Sequence, residues 1–329
     1  MSIKQSQPSF FNQMADRYPD GVHTIGADHA KWAEKARLNW GIKESPVAFT
    51  TDEGTTLKLF EDRRVFFRDD NLKPLAVVGK KFKVVQPREI LDFYGEVAER
   101  YGFKLAIAGE VDGGRKIWAM AETPHEYALA KGDEVKGGLF VMTACDGSLS
   151  TQGFFTSFRL RCLNQLPVIT KHAKRGKTMQ VFRCTHGAKF STARVERDLE
   201  AMQVGWEGFK RYSEALANKK VTEAQAVSFL QRFFYKGEVE ALSPVDVEEM
   251  KDNTTMKKIL GVYRTGEGQE GITGTAWGVV NAVTRYLDHE TRTKDDHVRV
   301  RKAWIEGSRE KVKIFDAALA EFTPKVLTA

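Results

Sequence analysis

The hydrophobic period of the chain changes near residue 195, and this change constrains the fold more than any other feature. Before this point, short β-like runs such as residues 75–78 (LAVV) alternate with turn residues. After it, apolar residues recur at helical spacing almost to the end of the chain. Strands followed by a series of helices are typical of an α+β fold rather than an alternating α/β fold.

The strand-rich part also contains helical segments. Residues 30–40 have helical spacing, and Pro87 and Gly102 bound a second helix, because proline favours the first helical turn and glycine follows the last. The predicted strands are 65–67, 75–78, 82–85, 104–110, 115–122, 138–145 and 151–162. The predicted helices of the second part are 194–218, 222–236, 244–261, 274–289 and 296–322.

These elements predict an α+β fold: a mainly antiparallel sheet with helices on one face, followed by an all-helical C-terminal part. A length of 329 residues allows two domains. We expect an irregular lead-in over residues 1–30, an α+β core over 31–193 and a helical C-terminal region over 194–329.

Positive charge is concentrated in residues 147–195, here called the basic run. It contains nine Lys/Arg and no Asp or Glu, so its net charge of +9 exceeds the +7 of the whole chain. A polyanion is the natural partner of such a surface, because each neutralised phosphate releases a condensed counterion. Phenylalanines within the run can stack on unpaired bases, which favours single strands over duplexes. The α+β core is therefore a candidate nucleic-acid-binding domain.

The candidate binding residues are the cations and aromatic rings of the basic run. The cations would hold the phosphate backbone and leave base edges free to pair, while the rings would stack on bases. They are Arg159, Arg161, Lys171, Lys174, Arg175, Lys177, Arg183, Lys189, Phe154, Phe155 and Phe182. An alternative interpretation places the phenylalanines in the core and leaves the basic segment as a solvated loop.

No motif indicates a nucleotide or a cofactor. Gly176-Lys177-Thr178 resembles the end of a phosphate-binding loop, but position 171 holds lysine where that loop needs glycine. The G-x-G-x-x-G pattern at 266–271 follows no strand and is predicted to be a helix–helix loop. Four possible zinc ligands lack the paired spacing of a zinc knuckle; they are Cys162, His172, Cys184 and His186. We expect no cofactor, no metal and no enzymatic activity.

One acidic cluster supports an alternative. Its side chains could hold a divalent cation in a nuclease, although helix capping and surface charge explain them more simply. They are Asp288, His289, Asp295, Asp296 and His297.

Three further features of the sequence bear on the cellular compartment of the protein. No apolar stretch reaches 18 residues, the amino terminus is polar, and the chain has three cysteines. These features predict a cytoplasmic protein without a membrane segment or a disulfide framework.

Several segments resemble the phage/plasmid-like protein family catalogued as a domain of unknown function, number 932. They are 38–40 (LNW), 67–79 (FRDDNLKPLAVVG), 85–87 (VQP), 109–118 (GEVDGGRKIW), 159–166 (RLRCLNQL), 185–186 (TH), 275–278 (TAWG) and 281–289 (NAVTRYLDH). The family's usual Cys-Gln/Asn-Asn-Thr-Leu reads Cys-Leu-Asn-Gln-Leu at 162–166, so this chain lacks that threonine.

The resemblance implies a protein of a phage or another mobile element. The order of sheet and helices is also similar to that of the ring-forming single-strand annealing proteins, which implies a homo-oligomer, either a ring or a filament. The resulting hypothesis is a protein that binds single-stranded DNA and promotes annealing or recombination without ATP. The alternatives are a metal-dependent nuclease and a host-directed, anti-defence interaction protein.

Overall fold

The fold is described from a computed structural model. It describes residues 22–23, 32–34, 36–51, 54, 56–130, 133–159, 165–167, 182–186, 192–235, 254–291 and 308–324. The chain divides into two compact units. The first comprises Met1–Pro124, Gly138–Phe155 and Gln180–Ala201. The second comprises His125–Gly137, Thr156–Met179 and Met202–Ala329.

A seven-stranded sheet contains most of the strands, in the order β1-β5-β6-β7-β8-β10, with β9 also paired to β8. Every pairing whose register is described in this sheet is antiparallel. The strands are β1 (Val22–His23), β5 (Lys104–Val111), β6 (Lys116–Ala130), β7 (Asp133–Ala144), β8 (Thr151–Arg159), β9 (Gln165–Pro167) and β10 (Phe182–Cys184).

A second, three-stranded antiparallel sheet belongs to the first unit. It is formed by β2 (Ile42–Thr51), β3 (Thr56–Arg68) and β4 (Pro74–Gly79), in that order. Strand β4 pairs only with the second half of β3, from Arg63 to Phe67. The first half of β3 therefore pairs with β2 alone over the described residues.

Helix α1 (Pro87–Tyr101) packs on β5 in the first unit. The backbone N–H of Gln86 donates to the Glu89 carboxylate at 2.7 Å, a capping contact that fixes the start of the helix. The buried Tyr94 hydroxyl lies 2.8 Å from the carbonyl oxygens of both Ala119 and Leu139, so the helix is anchored to two neighbouring strands.

The C-terminal helices lie in the second unit, except that residues 192–201 of α2 belong to the first. They are α2 (Thr192–Asn218), α3 (Glu223–Tyr235), α4 (Thr254–Thr265), α5 (Ala276–Arg285), a π-helical extension (Tyr286–Glu290) and α6 (Ser308–Phe322). Helix α5 is buried along its length and packs against both α4 and α6. Its first turn is capped by Thr275, whose side chain accepts from the N–H of Gly278 at 3.0 Å.

This architecture confirms the predicted α+β class, with antiparallel sheets and helices after the strand region. The helix at Pro87, the hairpin of β5 and β6 and the helix–helix loop at 266–271 are also confirmed. The predicted strand at 82–85 is wrong. That segment is irregular because Phe82 stacks on the His186 ring and the N–H of Lys83 donates to the His186 carbonyl.

No helix in the described part of the chain is both long and apolar enough to cross a membrane.

Candidate nucleic-acid interface

Parts of the basic run form strands at one end of the seven-stranded sheet. Strand β8 lies near its start, and the short strand β10, which ends the strand order, pairs with β8 from Phe182 to Cys184. Most of the predicted cations lie outside the described residues; they are Arg161, Lys171, Lys174, Arg175, Lys177 and Lys189. The structure therefore describes the strands of the basic run but not most of its cations.

Arg183 is the exposed cation of this edge. It lies opposite Gln152 in the β8–β10 register, and its Nε donates to the Ser150 hydroxyl at 2.8 Å. That hydrogen bond holds the base of the guanidinium against the sheet. Among the described residues, Arg183 has no carboxylate partner, so its charge is not neutralised there.

Phe154 lies on the same face of β8 as Gln152, because side chains alternate along a strand. It is half-buried, and its ring centroid lies 4.9 Å from that of Phe140 on β7. Phe140 in turn stacks on Trp118 of β6 at 6.0 Å. Phe154 thus ends a row of three aromatic rings and is the member that reaches solvent, diagonal to Arg183. Phe182 is placed in β10, but its side chain lies outside the described residues.

Two predicted contact residues are buried, which corrects the candidate list. Phe155 belongs to the core and has no exposed surface. Arg159 is buried as well: its Nε donates to Asp133 at 2.6 Å and its Nη2 donates to the carbonyl of Gly268 at 2.8 Å. Because these groups satisfy the guanidinium internally, neither Arg159 nor Phe155 is available to a nucleic acid in this structure.

The described zinc candidates have other partners. The buried Cys184 thiol donates to a neighbouring carbonyl oxygen. His186 places Nε2 2.7 Å from the Leu149 carbonyl oxygen and stacks on Phe82 at a centroid distance of 4.1 Å. The other two candidate ligands, Cys162 and His172, lie outside the described residues.

The acidic cluster is partly described. Asp288 is buried and forms an ion pair with the buried ammonium of Lys311. Burial lowers the pKa of Lys311, and the neighbouring carboxylate opposes that shift. Asp288 therefore already has a cationic partner within the second unit. Asp295, Asp296 and His297 lie outside the described residues. Within the described ranges, no group of three or more His, Cys, Asp or Glu side chains could hold a metal ion.

The segments 38–40, 67–79 and 109–118 meet around Arg68. Its guanidinium carbon lies 3.9 Å from the Trp40 ring centroid, and it donates to both oxygens of Asp70 at 2.9 and 2.8 Å. Arg68 also donates a hydrogen bond to the Glu110 carboxylate at 2.7 Å. The hydrogen bond from Arg68 lowers the pKa of the Asp70 carboxyl. Gly114, at φ +97, leaves room for Trp40, since a Cβ there would lie 2.8 Å from the ring. This cluster joins three segments and compensates the charge of Arg68.

Sequence reasoning missed Ser150, which orients Arg183, because a serine in a turn has no distinctive signal. It also missed the pairing of Arg159 with Asp133. That pairing had no local signal, because Asp133 begins β7 and lies 26 positions before Arg159.

A family model matches residues 74–304, which is more than two thirds of the chain. Its description is a domain of unknown function, DUF932. The matched span includes α1, strands β5 to β10 and helices α2 to α5. No curated protein and no solved structure matches the chain. On the extent of this match, the chain belongs to the DUF932 family.

Proposed function

We propose that this chain binds single-stranded nucleic acid, with DNA as the favoured form, and promotes strand annealing or recombination without ATP. The observation that carries the proposal is the basic run, whose nine cations stand in a segment without a carboxylate. Its attraction for phosphates would need no base sequence, because it comes from counterion release.

The sheet edge supports this proposal. Arg183 is exposed, and its Nε donates a hydrogen bond to Ser150. Phe154 has a partly exposed ring diagonal to Arg183. A cation beside a ring is the combination that single-strand binders use, with phosphate on one and a stacked base on the other. Because Arg159 and Phe155 are buried, the proposal rests on this pair among the described residues.

The mechanism would be electrostatic. Backbone contacts hold the strand in register with the protein, and bases that are not stacked remain free to pair with a second strand. Neutralising the phosphates also reduces repulsion between the two strands that anneal. No nucleotide hydrolysis is required in this scheme. A role in a phage or another mobile element, in the cytoplasm and as a homo-oligomer, belongs to the same proposal.

Reversing two charges of the basic run should weaken binding. The variant Lys174→Glu/Arg175→Glu should raise the dissociation constant for a single-stranded oligonucleotide about tenfold or more and reduce the salt slope by about 1.4, since each phosphate contact on a single strand contributes ~0.7. Fluorescence anisotropy of a labelled oligonucleotide measures both quantities.

The matched control is Lys257→Glu/Lys258→Glu, which makes the same charge change at two exposed lysines of α4, outside the basic run. It should change the affinity much less, because it alters the net charge of the chain but leaves the charge of the basic run unchanged. Equal weakening by both variants would show that overall charge governs binding, and the basic run would then lose its assigned role.

A further inference from the structure

Residues 79–83, here called the lysine turn, follow β4 and carry three lysines that do not belong to the basic run. They are Lys80, Lys81 and Lys83, and all three side chains are exposed. The N–H of Phe82 donates to the Gly79 carbonyl at 2.9 Å, so residues 79–82 form a β-turn with two of the lysines at its central positions. The first unit therefore carries positive charge at a second location.

The lysine turn packs directly on residues of the basic run. The Phe82 ring stacks on that of His186 at a centroid distance of 4.1 Å, and the N–H of Lys83 donates to the His186 carbonyl at 2.6 Å. The Phe82 ring also meets Phe66 edge-on at 5.7 Å, and a Cβ at Gly147 would lie 3.6 Å from it. These contacts hold the lysines beside the end of β10, within the first unit.

The turn lies close to Arg183, the exposed cation of the sheet edge. Arg183 and His186 are three residues apart, which even an extended backbone spans in at most about 11 Å. The His186 ring lies 2.7 Å, through Nε2, from the Leu149 carbonyl oxygen, and Arg183 donates to the neighbouring Ser150 hydroxyl. Since phosphates follow one another about every 3.4 Å along one strand of a duplex, a strand of a few nucleotides is long enough to reach from Arg183 to the turn.

The charges of Lys81 and Lys83 are not compensated in the described part of the chain, where neither side chain has a carboxylate partner. Asp146 lies at the start of the basic run, next to the turn, but its carboxylate is already 4.0 Å from the Lys116 ammonium. Lys80 differs from the other two lysines because it lines a cavity together with two glutamates. Only Lys81 and Lys83 are therefore available as uncompensated cations.

We propose that the lysine turn is a second phosphate-contact patch, which continues the sheet edge at Arg183 and binds the backbone of the same single strand through Lys81 and Lys83. This inference rests on the proposed function and extends it to residues outside the basic run. An ammonium group binds phosphate as a point charge, so a pair of lysines suits a backbone that is held without regard to base sequence. Phe82 is the one apolar side chain of the turn and packs on its neighbours, so the turn lacks the apolar anchor that protein partners use.

The first test measures whether a bound strand covers the turn. The wild-type chain is acetylated at its lysines with and without a saturating single-stranded oligonucleotide, and mass spectrometry gives the rate at each lysine. Lys81 and Lys83 should react several-fold more slowly with the strand bound, whereas Lys43 and Lys58, exposed on the three-stranded sheet, should react at the same rate. Unchanged rates at Lys81 and Lys83 in the complex would overturn the proposal, and an acidic protein surface would then be the better partner for the turn.

The second test reverses the two charges. Lys81→Glu/Lys83→Glu should raise the dissociation constant for the oligonucleotide about tenfold or more and reduce the salt slope by about 1.4, for two lost phosphate contacts. The control Lys43→Glu/Lys58→Glu makes the same charge change within the first unit and should leave the slope unchanged. Circular dichroism and the melting temperature confirm that both variants fold. Equal effects of the two variants would overturn this proposal alone, whereas a wild-type chain that binds no single strand at low salt would overturn the proposed function with it.

Discussion

Replacing Arg159 by methionine should lower the free energy of unfolding by about 3–5 kcal/mol, the usual cost of breaking a buried ion pair. Its guanidinium is bound by Asp133 at 2.6 Å and by the Gly268 carbonyl at 2.8 Å. Methionine fills similar space but leaves the Asp133 carboxylate buried without its counter-charge. Urea denaturation followed by tryptophan fluorescence measures the loss.

Arg183→Met provides the matched comparison, because it makes the same substitution at an exposed arginine in the same run. Stability should change by at most about 1 kcal/mol, since only the hydrogen bond to Ser150 is lost. Single-strand affinity should fall, and the salt slope should decrease by about 0.7 for one lost phosphate contact. At temperatures where Arg159→Met remains folded, its affinity should equal that of the wild type. The opposite assignment, with binding lost in Arg159→Met and kept in Arg183→Met, would contradict the placement of both residues.

Replacing Lys311 by methionine should also lower the free energy of unfolding by about 3–5 kcal/mol. Its ammonium is fully buried against Asp288, and removing it leaves a buried carboxylate without a cation. Replacing both partners, as in Lys311→Met/Asp288→Leu, should recover most of the loss, because no buried charge is then left unpaired. Urea denaturation of the two variants and the wild type gives the comparison.

The loss of unfolding free energy in Lys311→Met should depend on pH. A buried carboxylate that has lost its cation binds a proton more readily than the same group in the unfolded chain. The variant therefore loses stability at pH values above the ordinary pKa of aspartate and loses less at lower pH. The difference from the wild type should therefore shrink between about pH 7 and about pH 4. A loss below about 1 kcal/mol at neutral pH would show that the pair contributes little, and the buried placement of Lys311 would be in doubt on physical grounds.

The sequence predicts the helical and capped elements best. Helix α1 begins at Pro87 and helix α3 at Glu223, close to their predicted bounds, since local capping and a 3.6-residue period determine both. The irregular segment at Phe82 was predicted to be a strand because its apolar run looks like one. Its partner is the distant His186, which no local pattern identifies. The length of β3 was missed for a similar reason, since Glu61, Asp62 and the arginines after them interrupt the apolar alternation.

The proposed site can be predicted from the sequence as a segment but not as a set of side chains. Charge counting identifies the basic run, because it needs only composition. It cannot separate Arg183 from Arg159, since that distinction depends on which face of a strand each residue occupies and on partners such as Asp133 and Ser150. The same limit applies to Phe154 and Phe155, which are adjacent in sequence but point to opposite faces.

The most direct test of the proposed function is the salt dependence of single-strand binding by the wild-type chain, with a duplex of the same sequence as comparison. Contact with about five phosphates should give a slope of about −3.5 in log affinity against log salt for the single strand. The proposal also expects tighter binding of the single strand than of the duplex, because stacking requires unpaired bases. A flat salt dependence, or no binding of the single strand at low salt, would contradict the central claim.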